Sequence, residues 1–440
     1  MDVYCIVVVK HDKSSDQLAL LSIKNDITED PLGILSSWND KNDSLHFCEW
    51  RGVTCSRSPR RRRVMMLDLS SQGLVGSISP HIGNLSFLME LNLQNNSLHG
   101  EIPQQIGRLS RLTRLGLSNN SLEGEIPQNI SGCSNLIHLN ISRNNLVGRI
   151  PNELGYLPHL QVIQLKNNHL SGEIPTSLGN LSSLTFLSFW NNNLEGRIPN
   201  TLGQLTTLKL LSLISNRLSG IVPPSLYNIS SLEAISVAYN LLHGNIPFDI
   251  GFTLPNLEHF SVGFNNFTGT VPSSFSNLSK LEILQLVGNN LVGSVPSNLG
   301  NLKSLQVLQL GANKLGSGQA NDLDFLDSLT NCTKLRFLII SNNSFGGVLP
   351  SSIANLTTNL DILDFSMNQI YGSIPPGIQN LLGLTRLHLA FNQLTGSIPP
   401  GIGLLQNLGV LGLQINKITG SIPASFVFAK IRLALQQTKW

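Results

Sequence analysis

Two sets of side chains in this sequence have the types and spacings needed to grip a partner. One is aromatic: Tyr239 and Phe264 stand 25 residues apart in equivalent settings, and Phe186 and Trp190 lie close together upstream. The other is acidic: Glu233, Glu258 and Glu282 recur at intervals of 25 and 24 residues, with His259 beside the middle one. Aromatic rings are costly to leave in water and are favoured anchors at interfaces. Carboxylates aligned by a repeat oppose one another unless a cation joins them, so the acidic column points to a basic ligand patch or to local pairing with His259. Both sets also have a plainer reading, as ring packing between neighbours and as a solvated face.

Nothing that makes or breaks bonds accompanies them. The chain has no G-x-G-x-x-G-x-V with VAIK, HRD or DFG for phosphoryl transfer, no HExxH and no GxSxG, and GSGQAN around Gly318 lacks a third glycine. Asp322, Asp324 and Asp327 cluster in a stretch where Leu323, Leu326 and Leu329 are three apart. This predicts a short helix with the aspartates toward water rather than the rigid oxygen cage a hard cation needs. The chain is therefore expected to be non-enzymatic, with no cofactor and no metal. Charged residues are 12% and the net charge is +3, which gives no electrostatic case for nucleic acid. The basic run Arg60 to Arg63 reads as a solvated turn.

Of the five cysteines only Cys48 and Cys55 are close together. Their spacing could be half of a metal site, but no second Cys/His pair accompanies it, so a disulfide is expected. Cys133 and Cys332 share a phase in the repeat and are far apart, which predicts buried free thiols. Sequons of the N-x-[ST] type begin at Asn42, Asn84, Asn95, Asn119, Asn129, Asn140, Asn180, Asn228, Asn266, Asn277, Asn331, Asn342 and Asn355, a density that favours a secreted glycoprotein.

The elements that position these residues are repeats. With Asn120 as marker, Leu112, Leu115 and Leu117 precede it, and Leu122, Gly124, Ile126 and Pro127 follow. The pattern recurs at Asn96, Asn144, Asn168, Asn192, Asn216, Asn240, Asn265, Asn289, Asn313, Asn343, Asn368, Asn392 and Asn416, and Gln72 holds the place in the first of these fifteen units. Intervals are 24 or 25 residues except for one of 30 that contains the three aspartates, a period within the leucine-rich-repeat window. Ordering a residue costs roughly 1–2 kcal/mol of backbone entropy. Each buried leucine or isoleucine returns only about 1.5–3 kcal/mol. One repeat with six such side chains cannot fold alone, so the units must stack. The LxLxxN segment is the strand of each coil, with leucines inward and the intervening residues, including the one just before each marker Asn, outward. The marker Asn turns inward, because an amide both donates and accepts and can satisfy the backbone of adjacent turns.

Ahead of the repeats, a helix is predicted from Ser14 to Ile27, with capping-box spacing at Ser14 and Gln17 and Leu20, Ile23 and Ile27 on one face. LSSWN and CEWRGVTC follow, and they read as a cap over the apolar end of the first coil.

DQLALLSIKNDI, LSSWN and CEWRGVTC followed by NxLxGxIPxxIGxLxxL repeats resemble the extracellular part of a plant leucine-rich-repeat receptor-like kinase, most closely the subfamily that senses bacterial proteins and peptides. The resemblance covers Asp16 to Pro423. It implies an α/β solenoid, a horseshoe or superhelix with a concave parallel sheet, placed in the apoplast or at the cell surface. It also implies an extracellular peptide or protein ligand, a shorter co-receptor kinase as partner and a role in immune signalling. A soluble inhibitor of microbial cell-wall hydrolases, or a truncated decoy, is the alternative. The expected division is 1–13 leader remnant or disordered, 14–63 cap, 64–427 about fifteen repeats and 428–440 an atypical tail. Val3 to Val9 makes a weak leader core, no later run approaches the roughly 18–20 apolar residues of a membrane span, and the pattern stops after Pro423. Full-length members of the family continue through a second cysteine pair, a membrane span and a kinase, so a fragment or a truncated receptor is expected.

Overall fold

The computed structural model describes residues 15–39, 46–57, 62–428 and 432–434. The leader reading, the Ser14 cap and the Asn42 sequon lie outside the described residues. The chain divides into two compact units, Met1–Asn192 and Asn193–Trp440.

The first unit begins with helix α1, Ser15–Asn25, which buries Ala19, Leu20 and Ile23. It ends earlier than its apolar face suggests, because Ile27 starts a short strand, Ile27–Glu29, antiparallel to Val75–Ser77. The cap is held by stacked Trp38 and Trp50, with ring centroids 5.7 Å apart, and by the Cys48–Cys55 disulfide. Its strand Val53–Cys55 runs antiparallel to Val64–Asp68, the first strand of the parallel ladder, and so covers an edge that would otherwise expose unpaired backbone.

Arg63 is no solvated turn residue. Its guanidinium donates to both oxygens of Asp16, at 3.0 and 2.7 Å, and the fully buried Asp16 also accepts from the Val64 N–H at 2.8 Å. The pair joins residues 47 positions apart. This fork pins α1 to the first strand.

The ladder continues through Glu90–Asn92, Arg114–Gly116, His138–Asn140, Val162–Gln164 and Phe186–Ser188, each in register with its neighbour one repeat away. In the second unit a ladder of the same kind runs from Leu210–Ser212 through Ala234–Ser236, His259–Ser261 and Ile283–Gln285 to Val410–Gly412. It then gains one more strand, Arg432–Ala434, within the stretch read as an atypical tail. Edge pairing uses backbone groups and does not require the leucine pattern that ends at Pro423.

The marker asparagines bind the coils together. The Asn240 Nδ2 donates to the carbonyls of Leu213, Val237 and Ala238 at 2.9, 3.0 and 3.2 Å, and its Oδ1 accepts from the Leu218 N–H at 3.0 Å. Asn120, Asn144 and Asn392 repeat the arrangement. After most markers the chain adds a second short strand that the sequence reading did not separate, such as Arg217–Ile221 beside Leu241–Asn245. The glycine there has positive φ, 81° at Gly220 and 98° at Gly244, a conformation in which other side chains are strained. A 3-10 turn such as Gln104–Arg108 then returns the chain.

In the long repeat the predicted short helix is present as Phe325–Leu329. Asp324 and Asp327 face water, but Asp322 is buried. Its carboxylate accepts from the Ser317 N–H and hydroxyl, the Gln319 N–H and the Gly346 N–H, so it organises the insertion from inside.

Candidate ligand-binding surface

The residue just before each marker Asn is not an outward strand position. It sits in the turn after the strand with positive φ, from Asn95 at 56° through Tyr239 at 56° and Phe264 at 53° to Phe391 and Ile415 at 56° and 55°. Asn tolerates this left-handed region, which explains Asn95, Asn119, Asn167 and Asn191. For most other L-residues it costs roughly 1–2 kcal/mol. Tyr239 and Phe264 are held there by backbone bonds to the next coil, Tyr239 N–H to Gly263 O at 2.8 Å and Phe264 N–H to Val287 O at 2.7 Å.

Their rings stack with centroids 4.3 Å apart and planes at 16°, yet the residues remain 53% and 43% exposed. Gly288 follows in the same column, and a Cβ there would stand 2.7 Å from Cδ1 of Phe264. The missing side chain makes room for the ring. Beside the rings the sheet surface is low, because Ser236, Ala238, Ser261 and Gly263 are small.

The glutamates each sit one residue before their strands and do not behave alike. Glu233 is joined to Lys209 at 2.8 Å, and this hydrogen bond, with the charge of Glu233 behind it, raises the Lys209 ammonium above its ordinary value. Glu282 lies 4.0 Å from His259 Nε2. Among the described residues the Glu258 side chain has no ion-pair or hydrogen-bond partner, although it stands between the other two. Phe186, half-buried, and Trp190, 41% exposed, belong to the first unit.

Residues 13–56 match the family described as "Leucine rich repeat N-terminal domain". Residues 110–170 match "Leucine rich repeat", and seven further single repeats are matched between 87–109 and 383–405. In the solved structure of the Arabidopsis receptor kinase HAESA with the peptide hormone IDA and the co-receptor SERK1, the likeness has a TM-score of 0.63 and 30% identity, over 96% of this chain and 81% of that one. The chain belongs to the plant leucine-rich-repeat receptor ectodomains. The plant peptide hormone receptor RGFR1 in complex with RGF2 is also similar, with TM-score 0.74 and 33% identity over 82% of this chain and 61% of that chain. Receptor kinase-like protein Xa21 of rice is 48% identical over 71 residues, 16% of this chain and 7% of that protein.

In this leucine-rich-repeat chain no group of three or more His, Cys, Asp or Glu placed to hold a metal occurs among the described residues. No described helix is long and apolar enough to cross a membrane. Cys133 and Cys332 are buried thiols, which burial pushes up to about 12 and about 11. Eleven sequon asparagines are exposed: Asn84, Asn95, Asn119, Asn129, Asn180, Asn228, Asn266, Asn277, Asn331, Asn342 and Asn355. Asn140 is half-buried within a ladder strand. Two clefts of about 440 and 490 Å³ open between coils near Gly107 and Gly148, but no aromatic side chain lines either one.

The sequence reading missed a shallow depression over Gly116, in the strand face of the first unit. Its signal was a glycine at a strand position that the neighbouring coils fill with Asn92, Asn140 and Gln164.

Proposed function

We propose that the chain is the ligand-recognition part of a plant cell-surface receptor. Its coils around Asn240, Asn265 and Asn289 grip a peptide or protein segment that carries an aromatic or large apolar side chain and a lysine or arginine. The observation that carries this reading is the stacked, half-exposed Tyr239–Phe264 pair, held at positive φ where Asn would be easier to accommodate. The repeat imposes this dihedral on every coil, so it is the choice of two adjacent aromatics over Asn that binding accounts for.

Glu258 supplies the charged half. It lies six residues from Phe264, so an extended ligand along the strand direction needs about six residues to touch both, at about 3.3 Å each. The surface is preorganised, and binding orders no large segment. A co-receptor kinase completes the signalling unit, as the HAESA complex contains the co-receptor SERK1. The resemblance of the cap and repeats to receptors of bacterial proteins and peptides favours a microbial ligand and a role in immunity, and the exposed sequons are the places for N-glycans on a secreted chain.

The test is a selection of displayed random 12-residue peptides on the wild-type chain, with counter-selection on Tyr239→Asn/Phe264→Asn. Enrichment of peptides with one aromatic and one basic residue supports the assignment. Enrichment of acidic peptides, or of peptides that bind the double variant equally, overturns it.

A further inference from the structure

The depression over Gly116 has a volume of about 180 Å³ and lies wholly within the first unit. Glu90, Arg114 and His138 stand side by side on three successive strands along one rim. Asn92, Asn140 and Gln164 line the rest. Gly116 makes the space, since a Cβ there would meet the Gln94 Nε2 at 2.6 Å.

The lining is a set of unspent donors and acceptors. Among the described residues the side chains of Glu90, Arg114, His138 and Gln164 have no hydrogen-bond partner, and no ion pair closes between Glu90 and Arg114. Asn140 Oδ1 accepts from the Ser142 N–H at 3.2 Å, leaving its Nδ2 free. The Ser142 hydroxyl is itself buried, 2% exposed, without a partner. Asn92 and Gln94, by contrast, are fixed: Gln94 Nε2 donates to Asn92 Oδ1 at 3.0 Å, and the Ser118 hydroxyl donates to Gln94 Oε1 at 2.7 Å. Burial, with the Arg114 charge assisting and the Glu90 charge opposing it, lowers His138 below its ordinary value and so favours the neutral ring, which can both donate and accept.

An anion would meet Glu90 here and a cation would meet Arg114. A neutral ligand with many hydroxyls, each donor and acceptor at once, uses both kinds of group. The same strand face, two and three strands on from Arg114, carries Val162 and then half-buried Phe186, with Trp190 beyond it. Three steps span about 14 Å, a reach that calls for several linked sugar rings whose C–H faces lie on the aromatics.

We propose that the strand face of the first unit is a saccharide-binding site, centred on Gly116 with Trp190 as its aromatic platform. Two sources fit this chemistry. Asn140 opens the sequon Asn140-Ile141-Ser142, so the chain's own N-glycan can lie in the depression; a free neutral oligosaccharide can also fill it.

The experiment uses the full 440-residue chain secreted from plant cells, with peptide mass spectrometry at Asn140. If Asn140 carries a glycan, native endoglycosidase treatment is expected to release it more slowly than glycans at exposed Asn84 and Asn180, and Gly116→Val is expected to remove that protection. Equal release rates at the three sites in the wild type overturn the proposal. If Asn140 is bare, calorimetry with cellotetraose and chitotetraose is expected to detect binding that Gly116→Val and Trp190→Ala each weaken about tenfold or more. No heat with either sugar, unchanged affinity in both variants, or binding of tetragalacturonate alone overturns it.

Discussion

Replacing Asn240 by Ala tests the amide ladder that holds the coils in register. Three of its four bonds go to carbonyls that keep another donor: Leu213 O retains Asn216 Nδ2 at 3.1 Å, Val237 O retains Asn265 Nδ2 at 3.0 Å, and Ala238 O retains the Ser215 N–H at 2.9 Å. Only the Leu218 N–H is left without a partner, at a site where Asn240 is 7% exposed. An orphaned buried donor costs about 1–3 kcal/mol, and the loss of shared bonds at the carbonyls adds to it. The expected total is about 2–4 kcal/mol. Urea unfolding should show a lower midpoint at unchanged slope. Amide exchange at Leu218 should accelerate about a hundredfold, since each 1.4 kcal/mol is a factor of about ten. The Leu122 N–H, which bonds Asn144 in the first unit, should keep its rate and serves as control. Unchanged exchange at Leu218 together with an unchanged midpoint would refute the role given to the marker asparagines.

Two further outcomes follow from buried groups. Burial alone would raise Asp322, but the hydrogen bonds from Gly346, Ser317 and Gln319 outweigh it and hold the carboxyl below its ordinary value. Its contribution is therefore fully present above the unfolded value of about 3.9 and is lost as pH falls through the lower folded value. The stability gap between wild type and Asp322→Asn should shrink on acidification from about pH 6 to about pH 2, and a gap that stays constant contradicts the assignment. Cys133 and Cys332, held protonated by burial, should resist a thiol reagent in the native chain and react on unfolding, whereas fast native labelling would mean the core is open at those coils.

The repeat, the leucine core and the inward asparagines were legible in the sequence because each depends on spacing alone. What spacing does not encode is a dihedral angle. The residue before each marker looked like one more outward strand position, and only backbone geometry shows that Tyr239 and Phe264 occupy a left-handed turn. Long-range pairing was equally hidden: Arg63 looked solvated within a basic run, and its partner Asp16 lies 47 residues away. Asp322 shared its spacing with two exposed aspartates, but the turn through Ser317 and Gln319 folds back over it. At the candidate site, the types of Tyr239, Phe264 and Glu258 and their recurrence on adjacent coils were readable. That Glu233 is tied to Lys209 while Glu258 is free was not, because it depends on side-chain direction.

The central claim is that strained, exposed aromatics are kept at Tyr239 and Phe264 for binding. The direct measurement is the pair of quantities obtained from Tyr239→Asn/Phe264→Asn: affinity for a selected peptide with one aromatic and one basic residue, and the urea midpoint. The account predicts affinity at least about a hundredfold weaker. It also predicts a midpoint equal to or above that of the wild type, because relief of about 1–2 kcal/mol of left-handed strain per residue offsets a ring stack worth about 0.5–1.5 kcal/mol. Wild-type affinity in a folded double variant, or a midpoint that drops, would mean that the two rings serve the fold.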